Sequence, residues 1–323
     1  MHLALPTTLL ILKQTKGIAM KDIIIIGAGP AGMTAALYAL RADKSVLLLE
    51  KENFGGQITY SPKLENYPSV MEISGSAFAE KMLEQVISHG AEIELAEATK
   101  ITDAKTHKTV STEYGDFDAK AVIIATGSKH RHLGLEGEDE LIGSGISFCA
   151  VCDGAFFSGK KVAVIGGGNT ALQEAVMLSD TCSEVVVIQN LSFMTGEKKL
   201  LQILEGKSNV SMIFDTVVTA LESKDGELKS ISLENTKTNE KSTLALDGMF
   251  VAIGQKPENE AFADITALDS YGYVISDENC LTDTEGVFVA GDCRVKKIRQ
   301  VTTAAADGAV AALAACRYID GLK

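Results

Sequence analysis

The chain has 323 residues, 46% of them hydrophobic and 23% charged, which is enough for two domains with separate cores and too ordinary for a disordered or fibrous protein. A formal net charge of −13 argues against nucleic acid or an anionic membrane surface as the partner, because both recruit clustered Lys and Arg. Six cysteines are too few for a secreted disulfide scaffold, and without a secretion signal the expected compartment is the cytoplasm.

Residues 1–19 read as an N-terminal extension. Their apolar run Leu9-Leu10-Ile11-Leu12 has no basic segment before it and is too short to span a bilayer. Ile23-Ile24-Ile25-Ile26 then reads as a buried parallel strand. It runs into Gly27-Ala28-Gly29-Pro30-Ala31-Gly32, a helical pattern from Met33 to Arg41, and a second strand, Ser45 to Leu49, that ends at Glu50. Strand, glycine motif, helix, strand and terminal acid in that order point to a dinucleotide site, with the pyrophosphate at the helix N-terminus and Glu50 on a ribose.

Val122-Ile123-Ile124-Ala125-Thr126-Gly127 closes this first half. Cys149-Ala150-Val151-Cys152-Asp153-Gly154 comes next, and two cysteines so spaced can close a small disulfide ring and supply a thiolate for exchange. Zinc is the rival reading, but Cys182, Cys280, Cys293 and Cys316 are scattered singly and no His-x3-His spacing completes a tetrahedral site. The strand–glycine–helix–strand pattern then recurs in Lys161–Ile165, Gly166-Gly167-Gly168-Asn169-Thr170-Ala171, a helix through Leu178, and Glu184–Ile188 ending at Gln189. Glu50 stands eighteen residues after Gly32, and Gln189 stands eighteen after Ala171. Gly166, Gly168, Asn169, Thr170 and Gln189 are therefore candidates for a second nucleotide, a transient donor beside a resident one.

Met249–Gly254 repeats the closing strand of the first half, and Val287–Asp292 adds a further strand ending in an acid. The expected fold is α/β, with two Rossmann-like three-layer dinucleotide-binding domains, the second inserted into the first. The outer domain is placed at 20–131 and 259–323, and the inserted one, carrying the cysteine pair, at 132–258.

Gly27 to Gly32, Gly55-Gly56-Gln57-Ile58-Thr59, Glu65-Asn66-Tyr67-Pro68, Ala125-Thr126-Gly127, Cys149 to Gly154, Gly291-Asp292 and Arg299-Gln300-Val301 together resemble the low-molecular-weight thioredoxin reductases from Met20 onward. The resemblance implies FAD in the outer domain. Gly27, Gly29, Pro30, Ala31 and Gly32 would cradle its pyrophosphate, with Glu50 and Lys51 at the adenosine end. Gly56, Gln57, Asn66, Asp292, Arg299, Gln300 and Val301 would line the remainder. It further implies that Cys152 faces the flavin, that Cys149 attacks the disulfide of thioredoxin or a thioredoxin-like protein, and that Asp153 is the general acid or a helix cap. Family members are homodimers whose inserted domain rotates about a two-stranded hinge, which here would lie near residues 131 and 259.

The donor site departs from the family. NADPH-using members carry His-Arg-Arg after the second strand of the inserted domain, whereas this chain has Gln189-Asn190-Leu191-Ser192-Phe193-Met194 and no Arg between Arg131 and Arg294. NADH is the first expectation for the donor and ferredoxin the second. A dithiol oxidase using oxygen and a ferredoxin-linked or non-catalytic flavin protein are the alternative functions. Cys293 reads as a small buried residue. His130 and His132 follow the Ala-Thr-Gly turn in a linker well separated from the cysteine pair, which argues against a general-base role, and His2, His89 and His107 carry no pattern.

Overall fold

The structure is a computed structural model that describes residues 19–61 and 63–322. The expected N-terminal extension, up to residue 18, lies outside the described residues. The chain opens with β1 (Lys21–Ile26), α1 (Pro30–Arg41) and β2 (Val46–Glu50) around the first glycine motif. α2 (Gly75–Ser88) and β3 (Glu92–Leu95) follow, then β4 (Ala98–Asp103), β5 (Lys108–Thr112) and the long β6 (Gly115–Ile124). Through β7 (Ser128–His130) the chain enters a second unit, with β8 (Ile146–Ser147) and the short helix α3 (Ala150–Asp153). There β9 (Lys161–Ile165), α4 (Asn169–Ser179) and β10 (Glu184–Ile188) repeat the opening pattern, followed by α5 (Lys198–Glu205) and β11 (Val210–Ile213). An antiparallel meander of β12 (Thr216–Lys224), β13 (Glu227–Asn235) and β14 (Lys241–Ala245) precedes β15 (Gly248–Val251). β16 (Gln255–Pro257) pairs with β7 as the chain returns, and β17 (Val287–Val289) and α6 (Val301–Gly321) complete the first unit.

The described residues divide into one compact unit of residues up to 59, 75–128 and 257 onward, and another of 60–74 and 129–256. The segment 60–74, which holds Asn66, groups with the second unit. No composition shift in the sequence marks that excursion.

In the first unit β3, β2, β1 and β6 run parallel, and β6 serves two purposes along its length. Its first half pairs antiparallel with β5, while Val122–Ile124 pairs with β17 on the same edge. Because side chains alternate across a strand, the continuous apolar runs feed two cores. Ile23, Ile25, Leu48 and Ile123 pack with α1 and α6, whereas Ile24, Ile26, Leu49 and Ile124 pack with Val110, Phe117 and Phe262. The second unit divides its residues in the same way over the parallel sheet β11-β10-β9-β15-β8. Val162, Val164, Val187 and Phe250 meet α4, and Ala163, Ile165, Val186 and Met249 meet the meander through Val218, Ile231 and Leu233. None of the described helices is long and apolar enough to cross a membrane.

A buried ion cluster ties α6 to the loop after β17. Asp307 Oδ2 accepts from the Gly291 N–H at 3.0 Å, Arg294 Nε at 2.8 Å and Lys296 Nζ at 2.8 Å, while Oδ1 accepts from Arg294 Nη2 at 2.9 Å. Both cations are nearly sealed from solvent, with side-chain exposures of 2% and 7%. Removing one partner from such a cluster leaves buried charge uncompensated, so Asp307→Ala is expected to destabilise the fold by about 3–5 kcal/mol. Urea unfolding measures this, and a loss below about 1 kcal/mol would place the cluster with ordinary surface ion pairs.

Candidate active site

The Cys-x-x-Cys segment folds as a turn because Cys149 stays extended while the next four residues form α3. Cys149 and Cys152 form a disulfide with a Cα separation of 5.3 Å, and both are half-buried. The Cys152 N–H donates to Cys149 Sγ at 3.2 Å, a contact that favours a thiolate there once the bond is broken. Val151 between them is exposed, so the turn presents an apolar residue to a visitor. The other four cysteines are buried, and Cys293 Sγ donates to the Ala290 carbonyl at 3.3 Å, a packing arrangement.

Asp153 closes α3 and turns its carboxyl inward. Its Oδ2 accepts from the Ser147 hydroxyl at 2.6 Å, while Oδ1 is buried without a hydrogen-bond partner. Burial pushes this carboxyl up, and the Ser147 hydroxyl offsets the effect only in part. Its side chain bonds no helix N–H, which argues for a proton role over a cap. Behind the turn lies Glu174 on α4, whose Oε1 accepts from the Ala150 N–H at 3.3 Å and whose Oε2 has no partner. Burial pushes Glu174 up to about 7, with the amide bond opposing and the Asp153 charge adding to the shift. Sequence reasoning passed over Glu174 and Ser147. A glutamate in step with Ala171, Ala175 and Leu178 on the buried stripe of a helix was the available signal.

The first glycine motif has the geometry a dinucleotide requires. Gly27 has φ +105°, and a Cβ there would lie 2.4 Å from the Ala125 carbonyl oxygen. Gly29 caps α1 without any side-chain bond, and a Cβ added there would meet only the Gly55 oxygen, at 3.9 Å. Pro30 and Ala31 begin the helix, and Gly32 lies within its first turn. Glu50 is buried, with Oε2 accepting from the Ala28 N–H at 2.8 Å and Oε1 from the Glu52 N–H at 2.9 Å. Lys51 pairs with Glu258 at 2.8 Å, and Gly56 and Gln57 open the short turn after β2. Asp292 carries a buried Oδ1 with no partner, and desolvation pushes its carboxyl up to about 6 against the pull of Lys296 and Arg299. An orphaned buried acceptor of this kind suits the hydroxyl-rich chain of FAD. Arg299 stacks over Tyr273 at 4.3 Å, Gln300 caps α6, and Val301 is the first residue of that helix. The glycine turn at the start of α1 and the free oxygen of Asp292 fit FAD.

The second motif has the same backbone and a different filling. Gly166 has φ +129°, and a Cβ there would lie 2.5 Å from the Ala252 oxygen, a counterpart of Gly27. Gln189, however, folds onto the glycine turn, where a Cβ on Gly167 would meet Gln189 Nε2 at 2.3 Å and Met194 Sδ at 3.0 Å. Gln189 Nε2 donates to the Phe193 carbonyl at 3.1 Å, and its Oε1 accepts from the Asn190 N–H at 3.1 Å. The Thr195 and Gly196 N–H groups both donate to the Gly167 carbonyl, at 2.8 and 2.9 Å. Asn169 Oδ1 accepts from the Glu197 N–H at 2.7 Å, Gly168 caps α4, and Thr170 is exposed. Residues 189–197 thus bond to the turn that a second nucleotide would occupy.

Residues 21–308 match the family model described as pyridine nucleotide-disulphide oxidoreductase. A Clostridium pasteurianum chain described as a 34.2 kDa protein in a rubredoxin operon is 42% identical over 301 residues, covering 93% of this chain and 97% of that one. Bacillus subtilis thioredoxin reductase is 37% identical over 302 residues, covering 94% of this chain and 96% of its own. The crystal structure of thioredoxin reductase from Streptococcus pyogenes superposes with a TM-score of 0.90 at 39% identity, covering 94% of this chain and 99% of that one. With its glycine cradles and its paired cysteines, the chain belongs to the pyridine nucleotide-disulphide oxidoreductase family, as an FAD oxidoreductase of the thioredoxin-reductase type.

Proposed function

We propose that the protein carries electrons from a reduced protein donor of the ferredoxin class, through FAD, to the Cys149–Cys152 disulfide and on to thioredoxin or a thioredoxin-like protein. The observation that carries the reading is the half-buried disulfide, with the Cys152 N–H on Cys149 Sγ and a buried carboxyl at Asp153. Bound FAD would supply the electron pair, and Gly27, Gly29, Glu50 and Asp292 are the residues that would hold it.

With the pair reduced, the Cys149 thiolate attacks the partner's disulfide. A Cys149–partner S–S bond forms, the partner's own S–S bond breaks, and the departing sulfur takes its proton from Asp153. Cys152 then attacks Cys149 Sγ, the intramolecular bond returns, and the second partner sulfur leaves as a thiol. Enzyme dithiol and partner disulfide become enzyme disulfide and partner dithiol.

The packing at Gly167 supports ferredoxin ahead of NADH, reversing the order suggested by the sequence. A dinucleotide would have to displace the Gln189 amide before reaching the turn. No Arg in the segment between Arg131 and Arg294 compensates with a phosphate contact. Likeness to a protein of a rubredoxin operon is compatible with an iron-protein donor.

Three outcomes are expected. Cys149→Ser abolishes reduction of a thioredoxin while bleaching of the flavin by the donor persists, and retained partner turnover would sink the assignment of Cys149. Asp153→Asn lowers partner turnover by about 100-fold without loss of bound flavin, the range of a lost general acid. In an anaerobic titration of the FAD-loaded protein, reduced ferredoxin bleaches the flavin band and NADH and NADPH do not. Rapid bleaching by NADH would overturn the donor and leave the disulfide chemistry standing.

A further inference from the structure

We propose that Glu174 is a second proton-holding residue behind the redox turn, sharing with Asp153 the protons that the Cys149–Cys152 dithiol releases and the partner's sulfurs take up. The inference rests on the reading of the pair as a working dithiol.

The placement of Glu174 is costly unless it is used. It lies among Ala171, Leu172, Ala175 and Leu178 on the buried face of α4, and only 9% of it is exposed. A lone carboxylate in such a place calls for a full set of donors. Glu174 has one, the Ala150 N–H, which is the first amide of the helix that carries Cys152. Its second oxygen has none, and neither does Oδ1 of Asp153. The redox helix is therefore held between two carboxyls, each with one oxygen engaged and one bare.

Two neighbouring acids in a desolvated site do not both ionise readily, because each charge raises the cost of the other. The Asp153 charge acts on Glu174, burial pushes both up, and Glu174 titrates at about 7. The elements packed against α4 are α3 and the turn after it, α5 and the loop before it, β9, β10 and β15. Their ionisable groups are Cys149, Cys152 and Asp153 on the redox turn, Lys161 and Glu184, which pair with each other at 2.9 Å, and the exposed Glu197, Lys198, Lys199 and Glu205. None of these cations acts on Glu174.

The stoichiometry calls for such a group. When the dithiol closes to a disulfide it gives up two protons, and the partner's disulfide gains two as it opens to a dithiol. Asp153 can hold one of them. Glu174 holds the other between the two exchange steps, so that neither thiol has to discharge against a fixed negative charge. Glu174 touches no reacting atom and acts through the turn and Asp153.

The test separates charge from scaffold. Glu174→Gln keeps an oxygen for the Ala150 N–H and loses the titration. The FAD-loaded protein, reduced anaerobically with dithiothreitol, is alkylated with iodoacetamide across the neutral pH range. Removing the negative charge lets the thiolate form earlier, so the alkylation limb of Glu174→Gln moves to lower pH by about one unit. Glu174→Asp retains the wild-type position. Superimposable profiles for wild type and Glu174→Gln would overturn the proposal and leave Glu174 as a structural acceptor. If Glu174→Gln does not fold, infrared difference spectra of Asp153→Asn carrying isotope-labelled glutamate, reduced minus oxidised, separate Glu174 from the raised carboxyl of Asp292. A change in the protonated-carboxyl stretch supports the proposal, and an unchanged spectrum overturns it. Neither readout needs a donor or a thioredoxin, so a failure of the proposed turnover would be distinguishable from a failure here.

Discussion

The two glycine turns depend on one steric constraint, in which a strand-ending glycine lies under the carbonyl of the neighbouring strand. Gly27 meets Ala125 and Gly166 meets Ala252, and in both places a Cβ would come within about 2.5 Å of the oxygen. The chain must turn there and nowhere else, which sets Gly29 and Gly168 as the caps of α1 and α4. Once α4 starts at Asn169, its buried stripe falls on Ala171, Glu174, Ala175 and Leu178. Glu174 then reaches the first amide of α3, and the redox turn is fixed against the helix that begins at the glycine motif.

The same backbone serves different ends because the residue that terminates the second strand differs between the two units. Glu50 reaches back to the Ala28 N–H with one oxygen, while the Gly55 N–H donates to the Ala28 carbonyl at 2.8 Å. Gln189 has a donor as well as an acceptor, and it commits both to the loop after it, at Phe193 and Asn190. The Thr195 and Gly196 amides donate to the Gly167 carbonyl as Gly55 does to that of Ala28, so the Gln189 bonds are what differs. At about 1 kcal/mol net for each, releasing the two Gln189 bonds would cost about 2 kcal/mol. The residue at the strand end is thus an acid at one glycine turn and, at the other, an amide that lies over Gly167.

Much of this was legible in the sequence where local rules and global packing agree. β-branched runs ending in glycine motifs gave away both parallel sheets, and the cysteine spacing gave away the redox turn, because those patterns are short-range and sterically unforgiving. The grouping of 60–74 with the second unit was not legible, since it depends on where a loop packs and no residue type encodes that. The closure over Gly167 was only half legible. The missing arginines were visible in the residues after Gln189, but the side-chain amide folding back onto a glycine emerges only when the loop and the turn are seen together. Glu174 was hidden for the opposite reason, because a single acid in an apolar helix looks like noise until its neighbours are known.

The buried carboxyls of this protein sort by their partners, and that sorting separates structure from chemistry. Burial alone would raise Asp307, yet Arg294 and Lys296 hold it below its ordinary value, and all of its hydrogen-bonding capacity goes into tying α6 to the loop of Asp292. Asp292, Asp153 and Glu174 are raised, and each keeps one buried oxygen free. A fold gains nothing in stability from an acceptor left bare away from water, and each such oxygen costs about 1–3 kcal/mol. The cost is tolerable only where something outside the chain completes the bond. For Asp292 a hydroxyl of the flavin cofactor would serve, and for Asp153 and Glu174 the proposed proton would. Asp307 serves the fold, and the three unsatisfied acids lie at the glycine cradle and behind the redox turn.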